Sequence, residues 1–174
     1  MKKQIYFFAL CIAIGLFACQ SAPDQATLQQ SVATAQKSLA DSNPYDFSEE
    51  KARTLLSAYE NYVKDVKDEN TPVYLFSSGE LYRSLKEYQK EIDVYERLVK
   101  EYPNYEKAPQ SLFLLGFCYE NNIGNLSKAK KAYQSFIQQY PDHQMFQAAE
   151  FSLKNLGRSP EDIIKEFEAK NKGK

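Results

Sequence analysis

The segment Tyr95-Glu-Arg-Leu-Val-Lys-Glu-Tyr-Pro-Asn104 decides the fold because the chain repeats it without gaps. It recurs as Tyr133-Gln-Ser-Phe-Ile-Gln-Gln-Tyr-Pro-Asp142 and, more loosely, as Tyr59-Glu-Asn-Tyr-Val-Lys-Asp-Val-Lys-Asp68. The first tyrosines of the copies lie 36 and then 38 residues apart. Apolar side chains recur at i, i+3, i+4 and i+7, which places them on one face of a helix. Two copies end in Tyr-Pro, where proline cannot continue the helix. The spacing predicts repeated helical units.

A second motif precedes two of these copies. Leu-x-x-x-Gly-x-x-Tyr occurs at 75–82 and again at 112–119, with its glycine at Gly79 and Gly116. Glycine inside a helix costs about 1 kcal/mol relative to alanine, so its repetition indicates that a paired helix approaches closely. Other segment boundaries carry Gly or Pro, and no sustained period-two alternation indicates a strand. We therefore expect an all-α protein of paired helices.

These motifs resemble the tetratricopeptide repeat. In that family the first helix carries a bulky residue, a glycine and a tyrosine, and the second carries small, aromatic and proline positions. Ala129 and Tyr133 match the second-helix positions, whereas Glu91 stands where alanine is usual and Ser78 where leucine is usual. One extra residue lies within 121–125. The resemblance implies a right-handed α-solenoid of antiparallel helix pairs.

The resemblance also divides the chain into units. A divergent first pair is expected at about 25–41 and 48–67, the best repeats at 72–104 and 109–142, and a capping pair within 145–171. The last helix opens with Ser159-Pro160-Glu161-Asp162, which offers an N-cap serine, a proline at the first helical position and an acidic residue for a capping box. Its charged end suits the cap of a solenoid.

The N-terminus has the pattern of a lipoprotein signal peptide. Lys2 and Lys3 precede an apolar run of 13 residues, Ile5 to Phe17, which is too short to span a bilayer comfortably. The run ends in Leu16-Phe17-Ala18-Cys19, which looks like a lipobox. We therefore predict a signal peptide at 1–18, a lipidated tether at 19–24 that begins with acylated Cys19, and a helical domain at 25–174.

Composition narrows the classes of partner. Without Lys2 and Lys3 the chain keeps 20 of its 22 basic residues against 23 acidic ones, a net charge of −3 with no Lys/Arg-rich stripe. Nucleic acid is therefore not an expected partner. Of the three cysteines, Cys11 would leave with the signal peptide and Cys19 would carry lipid, so Cys118 is left without a disulfide partner. The single histidine, His143, provides no metal-ligand set. No metal or cofactor is predicted.

Lipidation, tyrosine-rich helices and Tyr-Pro repeat ends together resemble a group of bacterial envelope lipoproteins. They are related to the repeat subunit of the β-barrel assembly machinery and similar to the periplasmic repeat protein associated with the Tol–Pal system. The resemblance implies a lipid-anchored protein that recruits another envelope protein or peptide, with outer-membrane protein assembly as the process it would serve. Gln20, rather than aspartate, follows the cysteine, which favours the outer membrane facing the periplasm.

The family's ligand-facing positions predict a partner groove on the first helix of each repeat. They fall on Val73, Phe76, Glu80, Arg83 and Ser84 in one unit and on Gln110, Phe113, Phe117, Glu120 and Asn121 in the next. Phenylalanines flanked by charges suit an apolar helix or an extended peptide. The family's carboxylate-clamp residues are absent. The alternative is that these phenylalanines pack against the neighbouring pair.

Candidate catalytic groups are few. We expect most of the 13 tyrosines to be core residues, Cys118 to be a small buried apolar residue and His143 to be solvated in a turn. The predicted function is thus a non-enzymatic adaptor. The alternative is a peptidoglycan- or glycan-associated envelope factor with weak hydrolase activity, which a cleft carboxylate of raised pKa would favour.

Overall fold

The computed structural model of the chain describes residues 23–41 and 48–172, with side chains as far as Lys170. The predicted signal peptide at 1–18 and the predicted lipidation site Cys19 lie outside the described residues. Every regular element in the described ranges is helical: α1 Gln25–Ala40, α2 Glu49–Asp65, α3 Asn70–Ser84, α4 Tyr88–Glu101, α5 Ala108–Cys118, a π-helical turn Tyr119–Ile123, α6 Leu126–Gln139, α7 Phe146–Lys154 and α8 Pro160–Lys172.

Consecutive helices pack as a linear array. The pairs are α1 with α2, α3 with α4, and α5 with α6, and successive pairs meet through α2 and α3, α4 and α5, and α6 and α7. One continuous apolar core runs through the pairs; among its buried members are Leu28, Val32, Leu55, Tyr62, Leu75, Ile92, Tyr95, Leu98, Leu112, Leu115, Tyr133 and Phe136. The predicted all-α, tetratricopeptide-like solenoid is confirmed. Within the described residues no helix is both long and apolar enough to cross a membrane.

Side-chain caps start several helices where the sequence places them. Asp24 accepts a hydrogen bond from the backbone N–H of Thr27 at 2.8 Å, and Asn125 accepts one from Lys128 at 3.0 Å. Ser159 caps α8 by accepting the N–H of Asp162 at 3.1 Å, and its hydroxyl donates to the Asp162 carboxylate at 2.9 Å. The predicted start of the last helix is therefore confirmed, since each cap satisfies an N–H that the helix leaves free.

The repeated glycines lie under the tyrosines of their partner helices. A Cβ atom built on Gly116 would be 2.5 Å from the Tyr133 ring, and one built on Gly79 would come within 3.0 Å of three ring atoms of Tyr95. Real Cβ atoms essentially never come so close. The predicted reason for the glycines, close approach of the paired helix, is confirmed.

The extra residue of the second repeat is absorbed as a π-helical turn. Its backbone closes with Asn125 N–H donating to the Tyr119 carbonyl at 2.7 Å, and Gly124 ends the turn with φ 74°. In the preceding repeat, Lys86 occupies the equivalent left-handed position with φ 61°. The residues that precede these two left-handed positions differ in exposure: Leu85 is half-buried, whereas Ile123 is 43% exposed. The insertion thus moves an apolar side chain outward.

Tyrosines tie neighbouring pairs together. The hydroxyl of Tyr82 donates to Glu60 on the preceding helix, and that of Tyr119 donates to Glu96 at 2.6 Å. A lysine of the following helix lies over each ring, 5.3 and 4.9 Å from the ring centroids. Burial, then these carboxylates, raises the pKa of both hydroxyls, which therefore remain donors. The expected packing role of the tyrosines is confirmed for six that are buried: Tyr59, Tyr62, Tyr82, Tyr95, Tyr119 and Tyr133.

Candidate protein-binding surface

The predicted groove positions separate into exposed and packed side chains. Val73 and Phe117 are 38% and 42% exposed, and Glu80, Ser84 and Asn121 are exposed as well. Large apolar side chains in water favour contact with another surface. These five residues lie on α3, on α5 and in the π-helical turn, on the face that the family resemblance predicts to be concave. They are called the concave strip below.

Two predicted groove phenylalanines belong to the core instead. Phe76 is only 8% exposed, and its ring packs on Tyr95 with 5.8 Å between centroids. Phe113 is half-buried against Tyr133 and Phe136, at 5.7 and 6.1 Å. For Phe76, and largely for Phe113, the packing alternative is the correct one. Aromatic rings of the partner helix cover these two positions, and helical periodicity alone does not reveal that cover.

Arg83 is held by a buried carboxylate that sequence reasoning did not identify as functional. Its Nε donates to Glu91 Oε1 at 2.8 Å, and the two form an ion pair in which Glu91 is fully buried and the Arg83 side chain 33% exposed. The Glu91 Oε2 atom and the Tyr95 hydroxyl, both buried, have no hydrogen-bond partner. The one sign of this ion pair in the sequence was Glu91 itself, which stands where the repeat usually has alanine.

The remaining groove positions, Gln110 and Glu120, are half-buried. Glu120 accepts hydrogen bonds from the Tyr133 hydroxyl at 3.0 Å and the Gly157 N–H at 3.2 Å, so it connects the π-helical turn to α6 and to the turn before α8. Asn121 donates to the Phe117 carbonyl at 3.1 Å. Internal bonds therefore fix the polar frame around Phe117, and little side-chain freedom remains to be lost when a partner binds.

The candidate reactive groups are packed or paired. Cys118 is fully buried, and burial, then the neighbouring Glu91 carboxylate, raises the pKa of its thiol to about 12. The predicted burial of Cys118 is confirmed. His143 lies in the predicted turn, but its predicted solvation was wrong: its ring is half-buried against Phe136, and its Nδ1 accepts a hydrogen bond from the Met145 N–H at 3.1 Å. Among the described residues, no cluster of His, Cys, Asp or Glu is placed to hold a metal ion.

A cavity of about 360 Å³ opens between the turns that precede α3 and α5. Six of its lining residues are Asp68, Glu69, Glu101, Tyr102, Pro103 and Tyr105. It is called the acidic tyrosine cavity below. Burial, followed by the charges of Glu106 and Glu80, raises the pKa of Tyr105. Glu80 belongs to the concave strip, so the charge of the strip acts on a tyrosine that lines the cavity.

A further cavity, of about 1160 Å³, is an open groove on the first helix pair lined by small and polar side chains such as Ser31, Thr34, Ser57 and Asn61. The second pair has a comparable face, where Leu75 and Val94 lie beside Val63 of the preceding α2. The groove on the first pair combines small apolar side chains such as Ala26 and Ala58 with hydroxyl and amide groups.

Comparison with known proteins agrees with this architecture. Residues 74–105 and 110–143 each match the family model of the tetratricopeptide repeat. The matched ranges contain most of α3 and α5, all of α4 and α6, and the first residues of the turns that follow α4 and α6. No curated protein matches the chain. Repeats of this family support a role as a scaffold for protein–protein interaction.

Proposed function

Starting from two tetratricopeptide repeats in a continuous helical array, we propose that this chain is a membrane-anchored periplasmic scaffold. In this proposal Cys19 carries acyl chains that hold the protein at the outer membrane, and the repeats recruit another envelope protein or a segment of one. Such recruitment would contribute to the assembly of outer-membrane proteins. Each buried methylene contributes about 0.8 kcal/mol, so a multiply acylated N-terminus gives stable anchoring.

The observation that carries the proposal is the exposed Phe117 within a rigid polar frame. Its ring is 42% exposed although the neighbouring Phe113 is packed into the core. Asn121 and Glu120 are fixed around it by internal hydrogen bonds. An aromatic anchor on a pre-organised surface is the usual centre of a protein interface.

The binding role is tested with Phe117→Ala. We expect capture of the crosslinked envelope partner to weaken by roughly thirtyfold, because truncating a hot-spot aromatic commonly costs about 2 kcal/mol or more. Circular dichroism should show unchanged helical content. Phe167→Ala is the matched control, since Phe167 is 58% exposed on α8, a helix that contributes no residue to the strip. Equal capture by the wild type and both variants would refute the strip as the binding surface.

The anchoring role is tested with Cys19→Ser. Metabolic labelling with a palmitate analogue should be lost, because the thiol of Cys19 is the proposed acceptor. Cys118→Ala is the control and should keep the label, since Cys118 is fully buried in α5. Label that persists in Cys19→Ser would exclude this residue as the acylation site and leave the binding proposal untouched.

A further inference from the structure

The acidic tyrosine cavity carries more carboxylates than are paired with cations. Asp68, Glu69 and Glu101 line it together with tyrosine and proline rings. Among the described residues only Glu101 of these three forms ion pairs, with Lys67 and Arg97, which lie just outside the lining. Glu69 is exposed and forms no ion pair within the described part of the chain. The cavity therefore combines negative charge with aromatic faces.

Two of the carboxylates are held in place and remain ionised. Burial acts to raise the pKa of Asp68, but the Tyr62 hydroxyl at 2.7 Å and the backbone N–H groups of Asn70 and Thr71 bring it below its usual value. Burial likewise opposes the shift at Glu101. There, hydrogen bonds from Arg97 at 3.1 Å and Lys67 at 3.2 Å lower the pKa. Both groups stay charged at neutral pH.

Tyr105 connects this charge to the concave strip. Its side chain is half-buried, and the charges of Glu80 and Glu106 are close enough to act on its hydroxyl. A cation over a tyrosine face gains from the ring quadrupole, and adjacent carboxylates add to that attraction. An anionic group would be repelled from the same place.

We propose that the acidic tyrosine cavity receives a lysine or arginine side chain of the partner segment whose apolar residues lie on Phe117. This inference rests on the proposed scaffold function and specifies the chemistry of the partner: a basic residue at the cavity and, about the length of α5 further along the segment, apolar residues at Phe117. Tyr105 contributes the ring, Glu69 the accessible charge, and Glu80 the link to the strip.

The test uses the full chain in a non-ionic detergent and three probes that differ at one position: acetyl-Leu-Arg-Leu-amide, acetyl-Leu-Gln-Leu-amide and acetyl-Leu-Glu-Leu-amide. Binding is followed by NMR through the ring signals of Tyr102 and Tyr105. The arginine probe should bind about fivefold more tightly than the glutamine probe, and the glutamate probe most weakly. Added salt should reduce the difference.

Variants locate the effect. Glu69→Gln and Tyr105→Leu should each weaken the arginine probe roughly threefold and leave the glutamine probe unchanged. Glu161→Gln removes an equally exposed carboxylate at the start of α8 and should change neither probe. Equal binding of the arginine and glutamine probes, or a preference that survives both cavity variants, would overturn the inference. If partner capture still depends on Phe117 in that case, the scaffold proposal stands without it.

Discussion

At the scale of single residues, two glycines allow the two helices of each repeat to pack closely. Gly79 and Gly116 leave room for the rings of Tyr95 and Tyr133, which lie where a Cβ would otherwise be. Sequence could predict this because a mid-helix glycine is costly and recurred at the same register. The tyrosine that fills the space was visible as well, since it begins each repeated segment.

Replacing Gly116 by alanine should therefore destabilise the protein. We expect a loss of about 1–3 kcal/mol in the free energy of unfolding, because the added methyl overlaps the Tyr133 ring and outweighs alanine's better helix propensity. Leucine should cost more. Chemical denaturation followed by circular dichroism measures the change. In a Tyr133→Leu background the penalty of Gly116→Ala should shrink or reverse, and an undiminished penalty would mean that the ring is not what fills this space.

Exposure of single side chains is where sequence reasoning failed. Phe76 and Phe117 both fell on predicted ligand-facing positions, yet one is 8% and the other 42% exposed. Periodicity places a residue on a helix face but does not say whether a ring from the next helix covers it. For Phe76 that ring is Tyr95. The prediction that His143 is solvated failed for the same reason, because Phe136 packs against its ring.

At the scale of helices, one polar cluster links three of them. Arg83 at the end of α3 pairs with Glu91 in α4, and the Glu91 carboxylate also acts on Cys118 in α5. The sequence indicated only that Glu91 departs from the family's alanine. Its partner could not be predicted, because Arg83 was assigned to the groove surface. The extra residue at 121–125 was predictable from alignment, but its form as a π-helical turn was not.

Removing one partner of this ion pair should cost more than removing both. Arg83→Met leaves the Glu91 carboxylate buried without a cation, and we expect a loss of roughly 2–3 kcal/mol, moderated by the partial exposure of Arg83. The double variant with Glu91→Met should recover most of it, since apolar groups of similar size often replace a buried pair without loss. Thermal unfolding of the three proteins provides the comparison.

An ion pair that is less buried on both sides, Arg53–Glu87, provides the control for that comparison. Arg53 bonds Glu87 at 2.5 Å with 49% of its side chain exposed, so Arg53→Met should cost less than about 1 kcal/mol. A double variant no more stable than Arg83→Met alone would contradict the burial argument. It would show that the methionines pack poorly, or that Glu91 contributes through contacts other than the ion pair.

At the scale of the whole molecule, the two ends of the array differ in how they meet water. The outer face of the first pair is lined by small and hydroxyl side chains, whereas α8 leaves Ile164 and Phe167 57% and 58% exposed. The repeat count and the order of packing followed from sequence, because each unit contacts its neighbours in chain order. The apolar exposure of α8 did not, since its sequence suggested a charged end cap.

This difference between the two ends predicts that truncation lowers the thermal stability much more at one end than at the other. A chain that ends at Ser159 loses α8, whose large apolar side chains are mostly in water already, so its thermal midpoint should change little. A chain that begins at Asn70 loses α2, which covers Leu75 and Val94 and supplies the Glu60 acceptor of Tyr82. Exposing two such apolar side chains costs about 1.5–3 kcal/mol each, a large share of the stability of a small domain. We expect it to unfold at a much lower temperature and with less cooperativity. Calorimetry of both truncated proteins tests this, and a larger loss from removing α8 would mean that stability is concentrated at the C-terminal end of the array.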